Sequence, residues 1–288
     1  MFTRVDRVQL AVADRRVAAS GWIALLGAEH ESDDRVSALG ARRSTYRLGT
    51  GRVEILEPDG TGPVADAVSA RGGHLYAGGL TTSDMDSFLA HVRSRGVEPD
   101  VEGEQAHFDV AHTGGHGLRL VVSADHPGSA TGAIDHFYEV TNLVLDAPGA
   151  SAHYADLFGL DASSFTSITS PHYGYAGTLT LFDPDRIDRL EVIAPDRPAT
   201  TMGRYFARFG ESLYMAFAET DQIATIAARA AEIGAGVTVE PPENRQDERG
   251  AHTMFIHPSS LGGMMLGLSR RDYAWRWSGR PEIAEGGA

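Results

Sequence analysis

The sequence contains no cysteine. That excludes disulfides, thiolate nucleophiles and cysteine-ligated zinc. No run of 18 apolar residues is present, the length a membrane-spanning helix requires. The opening MFTRVDRVQLAVAD alternates apolar and polar residues and lacks the apolar core of a signal peptide. Positive charge is scarce: 25 Lys and Arg face 39 Asp and Glu, a formal net charge of −14. A nucleic-acid partner needs a basic face, and an anionic membrane surface would repel such a chain. A cytoplasmic protein with neither partner is expected. A phosphate-binding glycine loop is also missing, since GTGRVE has the wrong spacing, and so is a Gly-x-Ser-x-Gly nucleophile elbow.

What is present is a 288-residue chain with 42% apolar residues, enough for two ordinary domains with cores of their own. The stretch SADHPGSATGAID (123–135) is rich in small residues, Gly and Pro, and no hydrophobic period runs through it. It divides the chain near its middle. The two halves repeat each other. VDRVQLAVADRRVAASGWIALLGAE aligns without gaps to FYEVTNLVLDAPGASAHYADLFGLD, so that Val8 meets Val140, Asp14 meets Asp146 and Trp22 meets Tyr154. RVEILEPDG (52–60) matches RLEVIAPDR (189–197), and 74–97 matches 212–237. QAHFDVAHTGGHG (105–117) is echoed by GAHTMFIHPSSLGG (250–263), each with two histidines five residues apart.

Each half divides again. A strand, an amphipathic helix and further strands occur twice per half, with helices near 15–25, 84–95, 147–157 and 221–233. Asp84 or Ser83 is the N-cap signal of the second helix and Gly96 its stop. The plan is four βαβββ units. The expected boundaries are an N-terminal domain at 1–125 (modules 1–70 and 71–125), a linker at 126–133, a C-terminal domain at 134–270 and a tail at 271–288. In the tail Tyr273, Trp275 and Trp277 are expected to dock on the body, because large aromatics are seldom left in water. The final SGRPEIAEGGA reads as frayed.

This element order, with LLGAE and LFGLD after the first helix of each half, resembles the vicinal oxygen chelate (glyoxalase-like) superfamily. GAHTMFIHPSSLGGMMLGL resembles the last strands of methylmalonyl-CoA epimerases, and the four-module length resembles extradiol dioxygenases. The resemblance implies an α+β fold in which four βαβββ modules pair into two glyoxalase-like domains with cupped mixed sheets. It also implies a metal held by His, Gln or Glu, His and Glu, from the first and last strand of each module. Carried over one by one, those positions are Arg7, Glu54, Leu75 or Ala77, and Val121 in the first half. In the second half they are Glu139, Glu191, Leu213 or Met215, and Gly267. Arginine stays protonated and cannot ligate, so Arg7 is expected to pair with Glu54 in a degenerate N-terminal cup. Two carboxylates without nitrogen donors make a poor transition-metal site. No metal ligand and no cofactor is therefore expected, with a weakly bound divalent ion left open. A different register that rescues His136 as a ligand is also left open.

Side chains alternate along a strand, so residues five apart point to opposite faces. His252 and His257 on one strand cannot share a metal, nor can His107 and His112. A structural reading of these histidines is preferred. The same alternation places Glu139, Thr141 and Glu191 inside the C-terminal cup, with Leu213, Met215, Phe217 and Gly267 as its walls. His172 and Tyr175 are placed at its mouth. Tyr76 and Tyr214 are expected on the helix side, and Asn142 on that side does not fit the apolar pattern. Adjacent carboxylates in an apolar cup raise each other's pKa. One then serves as acid and the other as base, which suits isomerisation or elimination beside a carbonyl. The leading expectation is an isomerase or lyase of the superfamily acting on a small carbonyl-containing molecule, with Glu139 and Glu191 catalytic. A non-enzymatic small-molecule binding or resistance protein and a metal-dependent dioxygenase or epimerase are the alternatives. A homodimer is left open.

Overall fold

Each half opens on a strand that feeds a capped helix. The computed structural model describes residues 1–240 and 250–275; Trp277 and the rest of the expected tail lie outside them. β1 (Phe2–Ala11) leads to Asp14, whose carboxylate accepts from the N–H groups of Arg16 and Val17 and starts α1 (Arg15–Leu26). Gly27, at φ 70°, ends that helix in the left-handed conformation that glycine adopts at low cost. β2 (Glu29–Val36), β3 (Ala41–Leu48), β4 (Gly51–Pro58) and α2 (Pro63–Arg71) follow. β5 (His74–Thr82), α3 (Met85–Ser94), β6 (Asp100–Glu102), β7 (Gln105–Phe108) and β8 (Leu120–Ala124) complete the half. Asp84 caps α3 by accepting from Ser87 N–H.

The second half repeats this order. It runs through β9 (His136–Leu143), α4 (Ala147–Phe158), β10 (Thr166–Ser170), β11 (Tyr175–Leu181), β12 (Arg189–Pro195) and α5 (Thr201–Phe209). β13 (Ser212–Glu219), α6 (Ile223–Ile233), β14 (Val237–Glu240), β15 (Thr253–Ile256), β16 (Met265–Ser269) and α7 (Arg271–Ala274) follow. Asp146 caps α4 as Asp14 caps α1. The strands form two eight-stranded mixed sheets, ordered β2-β3-β4-β1-β5-β8-β7-β6 and β10-β11-β12-β9-β13-β16-β15-β14. In each, the first strands of two βαβββ modules pair antiparallel at the centre. This is the α+β, two-domain glyoxalase-like architecture.

The helix sides of the two sheets share one core. Val8, Trp22, Phe88, Val140, Tyr154 and Ile226 all belong to it. The sheets touch directly where Gly78 faces Val140: a Cβ at Gly78 would lie 3.1 Å from both Val140 methyls. Each fully buried large apolar side chain here contributes roughly 1.5–3 kcal/mol. The opposite face of each sheet, the cup, has its own apolar cluster. Val36, Leu56 and Tyr76 lie in the first, and Leu143, Leu179 and Ile193 in the second.

Three orientations differ from expectation, and all three share one cause. The β13–β9 ladder skips a residue between Leu213 and Met215, and the β5–β1 ladder skips one between Leu75 and Ala77. These bulges turn Tyr214 and Tyr76 onto the cup side, where both pack. Leu213, expected as a cup wall, packs instead in the helix-side core. Asn142 does lie on the helix side, with a reason. Its Oδ1 accepts from Tyr154 Oη at 2.7 Å and its Nδ2 donates to the His116 carbonyl at 3.1 Å. Buried polar groups demand such partners, and this one ties the C-terminal sheet to the other half. Trp275 docks as expected, buried with Tyr138, Ile187 and Ala274.

Candidate functional site

The C-terminal cup is built on the β9–β12 ladder. Glu139 is in register with Arg189, and Thr141 with Glu191, so all four side chains share one face. Arg189 Nε donates to Glu139 Oε2 at 2.5 Å, with both side chains almost fully buried. The Tyr138 ring lies under the guanidinium, 5.1 Å from its carbon. Thr141 Oγ1 donates to Glu191 Oε2 at 2.7 Å, and Tyr175 on β11 also hydrogen-bonds that carboxyl group. Burial, reinforced by the negative charge of Glu139, pushes Glu191 up to about 8. Burial and the Glu191 charge hold the Tyr175 phenol firmly protonated.

Met215 stands beside Thr141, and Phe217 beside Glu139. Gly267 is paired with Phe217, whose ring fills the space a side chain would need: a Cβ there would lie 2.3 Å from Phe217 Cε1. Thus Glu139, Thr141, Glu191, Tyr175, Met215, Phe217 and Gly267 come together, whereas Leu213 faces away. His172 sits exposed in the turn between β10 and β11, its ring edge-on to Tyr173 at 4.6 Å. Arg189 has no assigned role in the sequence patterns above. Its place two residues before Glu191 on a parallel strand was the signal that it would sit opposite Glu139.

The ladders also settle which residues occupy the metal positions that the resemblance implies. Glu191 aligns with Thr141, two residues past Glu139, and Gly267 aligns with Phe217, two residues past Met215. That common offset selects Met215 over Leu213. In the N-terminal sheet Val121 aligns with Gly79, two residues past Ala77, which selects Ala77 over Leu75. The C-terminal set is then Glu139, Glu191, Met215 and Gly267, with Glu139 already held by Arg189. The N-terminal set is Arg7, Glu54, Ala77 and Val121. Neither set fits a divalent transition-metal ion, which favours imidazole and carboxylate together. Among the described residues no three His, Asp or Glu gather as ligands.

Arg7 and Glu54 pair as expected, Nη1 to Oε1 at 2.9 Å. Arg7 also holds Asp6 and Ser123, while Gln9 and Gln105 donate to Glu54. Despite its burial, Glu54 is pulled down to about 2, because Arg7 and Arg43 stand beside it and the two amides donate to it. A cleft of about 480 Å³ opens over this network. The members of each histidine pair do not share a strand: His112 lies beyond β7, and His252 and His257 flank β15, so alternation along one strand does not decide their faces. His107 lies on β7 facing the cleft, and His112 sits in the following turn against Asp109. His252 is buried against the Tyr273 ring, and His257 bonds Thr238. The sequence reading missed the orientation of His107, since the strand was too short to show which face was wet. No helix among the described residues is long and apolar enough to cross a membrane.

No protein-family model matches the sequence, and no curated protein matches it significantly. Solved structures do. A triple mutant of 4-hydroxymandelate synthase from Streptomyces coelicolor superposes with a TM-score of 0.73 at 14% identity, covering 94% of this chain and 93% of that one. A fusion of a xylose isomerase-like TIM barrel with 4-hydroxyphenylpyruvate dioxygenase gives 0.64 at 16% identity, over 94% of this chain and 49% of the fusion. Methylmalonyl-CoA epimerase from Mycobacterium tuberculosis covers 48% of this chain at 17% identity, with a TM-score of 0.40.

The expectation of no cofactor is corrected by these likenesses. The fold is shared along nearly the whole chain with a dioxygenase, and dioxygen chemistry is carried by metals and other redox groups; the comparison points to a metal cofactor. The residues at the implied ligand positions nevertheless do not supply its ligand set. In architecture, the chain is a tandem two-domain protein of the vicinal oxygen chelate (glyoxalase-like) fold.

Proposed function

We propose that the C-terminal cup is an acid/base site for a small carbonyl-containing molecule, working as an isomerase or lyase with Glu191 as the proton carrier. The observation that carries this reading is the asymmetry of the two glutamates. Glu139 is neutralised by Arg189, whereas the hydrogen-bond partners of Glu191 among the described residues are hydroxyl groups, in a buried apolar wall. A carboxyl group poised near 8 exchanges protons at neutral pH, as acid–base catalysis requires. Thr141 and Tyr175 orient it. Glu191 takes the proton beside the substrate carbonyl. Delivered to the neighbouring carbon of the resulting enediol, while the hydroxyl proton passes between the two oxygens, that proton isomerises a hydroxyketone; expulsion of a β-substituent with its bonding electron pair gives elimination. Met215 and Phe217 exclude water from the carbon being deprotonated.

The test is hydrogen–deuterium exchange in D2O, followed by NMR, across a panel of hydroxyketones, 2-oxo acids and thioesters. Each assay is run with chelator and with added Fe(II), Mn(II), Co(II) or Mg(II), because the fold points to a metal. Exchange should fall at least ~100-fold in Glu191→Gln and survive in His172→Ala. Exchange unchanged in Glu191→Gln would sink the assignment. The apolar lining also favours a second reading, a binding protein without turnover. Tight binding of a panel member, unaffected by Glu191→Gln and with no exchange, would select it.

A further inference from the structure

The N-terminal cup, expected as a degenerate copy, has an open cleft whose polar groups are unevenly satisfied. Each of its guanidinium groups is charge-paired within the protein. Arg7 is held by Asp6 and Glu54, Arg43 by Asp34, Arg52 by Glu31 and Arg35 by Asp59. Acceptors are left over. His107 is only 5% exposed and lines the cleft, and its Nε2 has no hydrogen-bond partner among the described residues. Burial moves this ring below the usual histidine range, so it is neutral and able to accept. Glu102 accepts from the backbone N–H groups of Ser37 and Ala38 and hydrogen-bonds the Ser37 side chain, and among the described residues no cation pairs with it. Glu104, exposed at the tip of the β6–β7 hairpin, also lines the cleft without an ion-pair partner among the described residues. Four arginines and six carboxylates make up the charged wall, leaving an excess of negative charge.

A ligand that fits must bring donors and positive charge. We propose that this cleft binds a small organic cation with ammonium N–H groups, of the aliphatic polyamine class, with His107 accepting at the inner end and Glu102 and Glu104 supplying counter-charge at the mouth. The volume lies within the range of small-ligand pockets. An anion is disfavoured, because every guanidinium of the wall is already charge-paired with a carboxylate and the wall as a whole is negative. The site is separate from Glu191 and does not depend on chemistry in the C-terminal cup.

The experiment is calorimetric titration of the full chain with spermidine, with citrate as the anionic control, alongside NMR of the histidine rings. One saturable site is expected, weakened about tenfold or more in His107→Leu and in Glu104→Gln, and weakened by added salt. Glu104 is exposed, so its variant keeps the test valid if the histidine variant does not fold. Glu232→Gln, on α6 of the other domain, should leave binding unchanged. Three results overturn the proposal: no saturable binding of spermidine, citrate binding in its place, or equal loss in Glu232→Gln. The last would mean only diffuse attraction to an acidic surface.

Discussion

Arg189 donates to Glu139 across the β9–β12 ladder, and this pairing makes two neighbouring glutamates chemically unlike. Glu139 is held in a buried ion pair. Glu191, one step along the same face, bonds among the described residues only to hydroxyl groups and rises to about 8. The two carboxyl groups therefore answer differently to the same substitution.

Glu191→Gln should stabilise the protein in alkali. A carboxyl group raised from its ordinary value of 4.5 to about 8 keeps its proton in the folded state while the unfolded chain has lost it. Its contribution is full at low pH and is lost as pH rises toward 8. Denaturant unfolding at pH 5 and pH 9 should show a shallower decline for the variant, by up to a few kcal/mol. Glu139→Gln should instead cost about 3–5 kcal/mol at pH 7, because it strands the buried Arg189.

Glu54 gives the opposite slope. Its carboxyl group lies near 2 in the fold against 4.5 ordinarily, so its contribution is present above 4.5 and lost as pH falls toward 2. Glu54→Gln should destabilise by about 3–5 kcal/mol at pH 7, since Arg7 and Arg43 lose their shared partner. Acid titrations of wild type and variant should converge near pH 2.

Asn142 and Tyr154 should couple. Asn142→Ala removes the acceptor of a buried phenol and should cost about 1–3 kcal/mol. In Tyr154→Phe the same substitution should cost less, since no phenol is left unpaired. A double-mutant cycle by urea unfolding reads the difference, and additive losses would contradict it.

Gly267 is a packing glycine. Gly267→Ala places a methyl group 2.3 Å from the Phe217 ring and should cost about 1–3 kcal/mol by overpacking. In the Phe217→Ala background, where the ring is gone, the same substitution should cost little. The melting temperatures of the four combinations test this.

Much of the fold was legible because its signals are local. Asp84 announced a helix start, and the repeat had already aligned Asp14 with Asp146, which cap their helices in the same local way. Period-two alternation placed Glu139 and Glu191 on one face correctly, and the aligned halves gave four βαβββ units. Alternation failed at Leu213, Tyr76 and Tyr214, where one extra residue in a bulge reverses the face of its neighbours. Asn142 was unreadable because its partners, His116 and Tyr154, come from a loop of the other half and from a helix.

The sequence by itself determined the order of elements, their caps and the tandem repeat, because each depends on residues a few positions apart. The tertiary structure alone decided that Arg189 neutralises one glutamate and leaves the other protonated. It also decided that Phe217 occupies the space beside Gly267, and that His107 faces an open cleft. Those outcomes depend on strand register between segments some fifty residues apart and on how much water each pairing excludes.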